Sequence, residues 1–174
     1  MFDTYFRFEY KGKHPPGPKE DFKHVHIYKF KTDNEVYIFR GEVFLHQTIA
    51  VKYYPKSYED SPSKYTLLTG KNKGGGTARI ISTCLQIMLD LRKKESNPSY
   101  IFQASGLVGE MNSETKRYRI YKELLKNTFS SVSFIHYPVK SHSIYLIFNR
   151  VNKEEILLEI EREFIAIFDF DKDV

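Results

Sequence analysis

The stretch TGKNKGGGTARIISTCLQIMLDL, residues 69–91, places three consecutive glycines directly before the clearest helical pattern in the chain. From residue 77 to residue 94 apolar side chains recur at helical spacing, which predicts an amphipathic helix with one buried stripe. That stripe contains Ile81, Cys84, Leu85, Met88 and Leu91. Thr77 suits the N-cap or the first turn, and the cations at 92–94 suit the negative end of the helix dipole. The stretch therefore predicts a basic, glycine-rich loop that leads directly into a buried helix.

Upstream of the loop, apolar and aromatic residues alternate in the manner of β-strands. Residues 2–10 and 24–31 each predict one strand, joined by the proline- and glycine-rich connection KGKHPPGPKEDF. The segment EVYIFRGEVFLHQTIAVKYYP, residues 35–55, predicts one long strand or two shorter ones, with a break near Gly41 or His46. KYTLLT, residues 64–69, predicts a short strand that leads into the glycine loop.

Downstream of the helix, strand and helix patterns alternate again. YIFQAS, residues 100–105, predicts a strand, and residues 115–126 predict a second helix. Residues 131–150 predict two strands around a turn near Lys140, and Asn152 with Glu155 predicts the capped start of a final helix. The pattern favours an α/β (α+β) class with a single mixed, largely antiparallel sheet flanked by helices.

Length and composition favour one globular domain over residues 1–174. The 174 residues are 41% hydrophobic and 16% aromatic, which is enough for a proper core. A single cysteine, Cys84, excludes an internal disulfide framework and suits a reducing compartment. The first residues lack the pattern of a signal peptide, and no apolar run approaches the roughly 20 residues of a membrane helix. We therefore expect a cytoplasmic location and no membrane association.

Positive charge is concentrated beside the glycine loop. The net charge is +5, yet no acidic residue lies between Asp60 and Asp90, where four basic residues occur. A second basic segment covers residues 115–126. Such clustering indicates either an anionic ligand near the loop or simply a solvated basic face.

Phosphate binding needs main-chain N–H groups that no side chain obstructs, and glycines before a helix supply them. The loop does not match a Walker motif or G-x-G-x-x-G, so nucleoside triphosphate hydrolysis is not indicated. A flexible connector without ligand remains an alternative interpretation of the same glycines.

Lys71-Asn72-Lys73-Gly74-Gly75-Gly76 resembles the [Arg/Gln]-x-x-Gly-x-[Gly/Ala] motif of the GNAT superfamily of N-acetyltransferases, with lysine at the first position. In that family the motif lies between the fourth strand and the following helix and binds the pyrophosphate of acetyl-CoA. TKRYRIYKELL, residues 115–125, resembles the later helix of the family that carries a tyrosine, and Tyr121 matches it. The resemblance covers residues 64–126.

The resemblance implies an acyl-CoA N-acyltransferase-like fold and transfer of an acetyl group from acetyl-CoA to an unknown amine. Tyr121 would protonate the departing thiolate, as a phenol with a reference pKa of about 10 can do. Glu42 is the nearest carboxylate to suggest as a general base. The implied cofactor-binding residues are Leu67, Leu68 and Thr69 for the pantetheine amides, Gly74, Gly75, Gly76 and Thr77 for the pyrophosphate, and Lys71, Lys73 and Arg79 for added positive charge.

Two other interpretations stay open. YKFKTDNEVYIF and TKRYRIYKELLKN are similar to small uncharacterised bacterial proteins without an established activity. The basic helix at 115–126 interleaves aromatic residues with cations, so a catalytically inactive protein that contacts nucleic acid or a protein partner is the rival.

Metal and thiol chemistry are not expected from the spacing of the residues. His24 and His26 share one strand face near His14, but no cysteine or carboxylate cluster has ligand spacing, so we expect no metal. Cys84 lies on the apolar stripe of its helix and is expected to be inert core.

Overall fold

Strands with alternating apolar residues build one open sheet with two buried faces. The computed structural model describes residues 4–65, 76–103, 116–140 and 143–170. Within these residues seven strands form a single sheet. They are β1 (Phe8–His14), β2 (His24–Lys31), β3 (Val36–Val43), β4 (Thr48–Pro55), β5 (Ser99–Gln103), β6 (Phe134–Val139) and β7 (Ile144–Asn149).

The strand order is β1-β2-β3-β4-β5-β7-β6. Neighbouring strands pair antiparallel except β4 and β5, which are parallel. Three α-helices accompany the sheet in the described residues: α1 (Gly76–Leu91), α2 (Lys116–Thr128) and α3 (Leu157–Phe170). The α+β class with a mixed, largely antiparallel sheet is therefore confirmed. None of the described helices combines the length and apolar content that crossing a bilayer requires.

The sheet buries a different set of side chains on each face, because successive residues of a strand point to opposite sides. One core contains residues of α1 and α2 together with Tyr28, Phe39 and Tyr100. The other contains α3 residues Ile160 and Phe164. We call these two sides of the sheet the α1 face and the α3 face.

Helix α1 follows its sequence pattern closely. The whole predicted stripe is buried: Ile81, Cys84, Leu85, Met88 and Leu91. Burial raises the pKa of the Cys84 thiol, so this side chain behaves as apolar core, as expected. The helix begins at Gly76 and ends at Leu91, which places Thr77 in the first turn.

The first strand is shifted from its predicted position. It begins at Phe8 and continues to His14, whereas the pattern predicted residues 2–10. The backbone N–H of Phe6 donates to Thr83 Oγ1 of α1 at 2.9 Å and not to a neighbouring strand. A bulge at Gly12, whose φ of 113° favours glycine, lets the strand continue through the predicted connection.

The structure contradicts two further predicted boundaries and confirms a third. Residues 62–65 form a turn, so the predicted strand over 64–69 is wrong at Lys64 and Tyr65. The final helical segment begins with a 3-10 turn at Glu154–Ile156, whose N-cap is Lys153, so the predicted cap at Asn152 is wrong. The long segment 35–55 does break near His46, where φ is 58°.

The contact between the N-terminal segment and α1 gives a first prediction. Thr83 is fully buried, accepts from the Phe6 N–H and donates to the Arg79 carbonyl at 2.7 Å. Thr83→Val keeps the shape but leaves a buried N–H unpaired, so the free energy of unfolding should fall by about 1–3 kcal/mol. Urea denaturation measures this.

Thr128→Val is the matched control. Its hydroxyl donates to the Leu124 carbonyl inside its own helix, at 2.9 Å, and accepts from no backbone N–H of the described residues. Its free energy of unfolding should change by less than about 0.5 kcal/mol. An equal loss in both variants would show that the Phe6 contact contributes nothing.

Candidate functional site

The parallel strands β4 and β5 pair over a short distance only. Strand β4 pairs with β3 along its whole length, from Ile49 to Pro55. With β5 it pairs only at residues 48–50, opposite residues 99–101. Beyond Ala50 no other strand of the described residues pairs with this edge of β4. We call the region between residues 51–55 of β4 and the last two residues of β5, Phe102 and Gln103, the β4–β5 gap.

One tyrosine contacts both sides of this gap. The hydroxyl of Tyr121, on α2, hydrogen-bonds the hydroxyl of Tyr53 on β4. Its ring packs edge-on against Phe102 of β5, with ring centroids 5.1 Å apart. All three side chains belong to the α1 face, and Tyr121 is half-buried. The phenol of Tyr121 therefore lies over the point at which the parallel strands β4 and β5 cease to pair.

The helix that joins these strands in the chain starts toward the end of the sheet at which β4 ends. Parallel neighbours need a crossover connection, and here α1 supplies it. Leu91, at the end of α1, lies over Gly41, with Cδ1 3.1 Å from the position that a Cβ on Gly41 would take. The first turns of α1 lie near Phe6, which stacks on Phe30 of β2. Because Phe30 is in register with the Pro55 end of β4, α1 begins over β2, toward that end of the sheet.

The predicted cofactor residues fall partly within the described residues. Gly76 is the first residue of α1, and Thr77 is exposed in its first turn. The guanidinium of Arg79 lies 4.0 Å from the ring centre of Phe6, and Nη2 donates to the Tyr5 carbonyl at 3.4 Å. Arg79 Nε is buried and has no hydrogen-bond partner within the described residues. Leu67, Leu68, Thr69, Lys71, Lys73, Gly74 and Gly75 lie outside them.

Glu42 lies on the other side of the sheet from Tyr121. It pairs with Ala50, a residue of the α3-face core. Its buried carboxylate forms ion pairs with Arg40 Nε at 3.1 Å and Lys52 Nζ at 2.9 Å. Two cations thus balance its charge, and the structure does not bring this suggested general base to Tyr121.

The basic helix presents fewer aromatic rings to solvent than its sequence indicates. Tyr118 is fully buried and lies 6.1 Å from Tyr145, ring centre to ring centre. Arg119 and Lys126 are exposed. Because Tyr118 faces the core, it offers no surface on which a base could stack.

Sequence reasoning found Tyr121 but missed the two residues it contacts. Tyr53 is 68 residues away from Tyr121 in the chain, and only the fold brings them together. The alternation along β4 places Val51 and Tyr53 on the same face, which was the available signal.

Comparison of the chain with known proteins yields no match. No protein-family model, no curated protein and no solved structure matches it. At the β4–β5 gap the described residues combine a strand edge that no other described strand pairs with and a hydrogen-bonded pair of phenols.

Proposed function

We propose that the protein is an acyl-CoA-dependent N-acetyltransferase with an acyl-CoA N-acyltransferase-like fold. Acetyl-CoA would bind in the β4–β5 gap, and its acetyl group would pass to an amine. The observation that carries this proposal is the early end of pairing between β4 and β5, while both strands continue. In open sheets with parallel strands, ligands bind beyond the carboxyl ends of the strands.

The pantetheine arm of CoA would lie along the edge of β4 beyond Ala50, where no other strand of the described residues pairs. An extended chain with amides can bind to a strand edge as an added strand would. Leu67, Leu68 and Thr69, which the resemblance implies for the same role, lie outside the described residues and stay predictions. The resemblance to the GNAT superfamily supports the same position, since the glycine motif follows the fourth described strand and precedes a helix.

The pyrophosphate would lie at the start of α1. Gly76 and Thr77 form the first turn of this helix, at the positive end of its dipole. Arg79 adds a buried Nε that has no partner within the described residues. Lys71, Lys73, Gly74 and Gly75 stay predictions for the same role.

Tyr121 would act as the general acid. The amine nitrogen bonds to the acetyl carbon, the carbon–sulfur bond breaks, and the sulfur takes the phenolic proton. The proton that the amine loses returns to the phenolate through water. Tyr53 hydrogen-bonds the Tyr121 hydroxyl and can stabilise the phenolate that forms. We place this chemistry in the cytoplasm, because a reducing compartment suits a chain whose single cysteine is free and buried.

Binding of acetyl-CoA tests the proposal. At a ligand concentration 100 times the dissociation constant, binding stabilises the folded state by about 2.7 kcal/mol. For a domain of this size the melting temperature should then rise by about 5–10 °C. Adenosine 3′,5′-bisphosphate, which lacks the pantetheine arm and one phosphate of the diphosphate, is the control ligand and should give a smaller rise.

The absence of any shift with millimolar acetyl-CoA would overturn the proposal. The rival is a non-catalytic protein that contacts nucleic acid or a protein partner through residues 115–126, and exposed Arg119 and Lys126 favour it. The nucleic-acid form of this rival would be supported by two results together: a salt-dependent gel shift with RNA or DNA, and no stabilisation by acetyl-CoA.

A further inference from the structure

Three polar side chains meet where β2 begins and α1 ends. Glu95 Oε1 lies 2.5 Å from His24 Nε2 and 2.7 Å from His26 Nε2. These three atoms all lie within 4.8 Å of one another. Two imidazole nitrogens and one carboxylate oxygen thus converge on a single point, away from the β4–β5 gap.

The fold brings these residues together through one close contact. His24 and His26 are two residues apart on β2 and point to the α1 face, while Val25 between them belongs to the α3-face core. His26 pairs with Gly41 on β3, which has no side chain and so admits Leu91, the last residue of α1. The Glu95 N–H then donates to the Leu91 carbonyl at 2.9 Å, which holds the carboxylate above the two histidines.

We infer that His24, His26 and Glu95 form a binding site for a divalent transition-metal ion, with Zn²⁺ as the preferred ion. Two histidines and one carboxylate are a set of ligands that zinc accepts in a site with a fourth position for water. Imidazole ligands favour zinc and its transition-metal neighbours over Mg²⁺ and Ca²⁺, which prefer oxygen.

The spacing of the ligand atoms is close to what zinc needs. Zinc–nitrogen distances of about 2.0–2.1 Å place tetrahedral ligand atoms about 3.3 Å apart. The carboxylate oxygen must therefore move away from each nitrogen by less than about 1 Å, and the two nitrogens, which lie within 4.8 Å of each other, must come to a similar separation. The His24 side chain is 18% exposed, which gives an ion access to the site, whereas His26 is 3% exposed and anchors it.

A second hydrogen bond prepares His26 for this role. Its Nδ1 lies 2.9 Å from the hydroxyl of Tyr10. A hydroxyl can accept as well as donate, so Nδ1 can carry the ring proton and leave Nε2 free for the ion. Such outer partners fix the tautomer and orientation of metal-binding histidines.

One cation near the ligands is balanced by an acid. Lys94 Nζ lies 4.2 Å from the centre of the Tyr10 ring and 3.6 Å from Asp90 Oδ2, which offsets its charge.

Calorimetric titration of the untagged chain with Zn²⁺ tests the site, after treatment with a chelator. We expect one ion per chain. Glu95→Gln and His24→Ala should each weaken binding by more than about 100-fold, since they remove a ligand. Tyr10→Phe keeps all three ligands and should weaken it by about 10–100-fold. His14→Ala is the control, because this histidine is exposed and its ring hydrogen-bonds the Lys11 carbonyl at 3.3 Å; this variant should bind Zn²⁺ as the unaltered chain does.

Circular dichroism and melting curves establish that each variant is folded, and Glu95→Gln preserves the shape of the side chain. A second readout is the visible spectrum of Co²⁺, which should indicate nitrogen and oxygen ligands in the unaltered chain and vanish in Glu95→Gln. Failure of the unaltered chain to bind Zn²⁺, or equal binding by Glu95→Gln, would overturn the proposal and leave a hydrogen-bonded contact between β2 and α1.

Discussion

Leu91→Ala should lower the free energy of unfolding by about 2–5 kcal/mol, the range for large-to-small changes in a core. Leu91 is fully buried at the end of α1, between the helix and the sheet. Its loss leaves a cavity over Gly41, where no other side chain of β3 can fill the space. Because domains are stable by only about 5–15 kcal/mol, urea denaturation would show the change clearly.

Leu158→Ala is the matched control for this change. Leu158 lies on α3 and is 54% exposed. The same atoms are removed, yet little buried area is lost, so we expect a change within about 0.5 kcal/mol. A comparable loss in both variants would contradict the view that the contact of α1 with β3 stabilises the fold.

A double-mutant cycle with Gly41 tests the contact itself. A Cβ at Gly41 would lie 3.1 Å from Leu91 Cδ1 and 3.3 Å from Ile49 Cγ2. Gly41→Ala should therefore destabilise the unaltered chain by about 1–3 kcal/mol. In a chain that already carries Leu91→Ala, Gly41→Ala should destabilise the fold less, because the nearest opposing atom, Leu91 Cδ1, is absent. The coupling energy between the two substitutions should exceed about 0.5 kcal/mol.

Local patterns predicted most of the elements. The helical stripe on α1, the strand at 24–31 and the break near His46 depend on neighbours in sequence, and the structure confirms them. Where a distant partner decides the backbone, the pattern failed. Phe6 resembles a strand residue, yet its N–H bonds Thr83, which is 77 residues away.

The same reason explains what sequence reasoning missed in the two sites. Tyr121 was found through a resemblance, but Tyr53 and Phe102 reach it only after β4 and β5 are placed beside α2. His24 and His26 show a visible spacing on one strand, whereas Glu95 follows 69 residues after His26. The proposed metal site was therefore not predicted, because Glu95 has no local signal in the sequence that connects it to the two histidines.

Tyr121→Phe should lower the rate of acetyl transfer by about 10²–10⁴-fold, the usual contribution of a positioned general acid. This expectation depends on the proposed function. The ring and its contact with Phe102 remain, so the dissociation constant of acetyl-CoA should change by less than about threefold. Release of free CoA thiol, measured with a panel of primary amines, gives the rate.

The pH dependence of the rate separates a proton donor from a structural residue. A phenol that donates a proton must be protonated, so the unaltered chain should lose activity at alkaline pH, where phenols ionise. Tyr121→Phe should lack this alkaline decline in its residual activity. A merely structural role would lower the rate at every pH and leave the shape of the profile unchanged.

Tyr137→Phe supplies the matched control on the other side of the sheet. The Tyr137 hydroxyl donates to Glu161 Oε2 at 2.8 Å, and the residue packs against the α3-face core. Removal of this hydroxyl should leave the rate of acetyl transfer within about twofold of the rate of the unaltered chain, because the hydroxyl lies on the face opposite Tyr121. If acetyl-CoA binds and Tyr121→Phe transfers acetyl groups as fast as the unaltered chain, Tyr121 is not the acid. The hydroxyl of Tyr53, which shares its hydrogen bond, would then be the next phenol to test in the same gap.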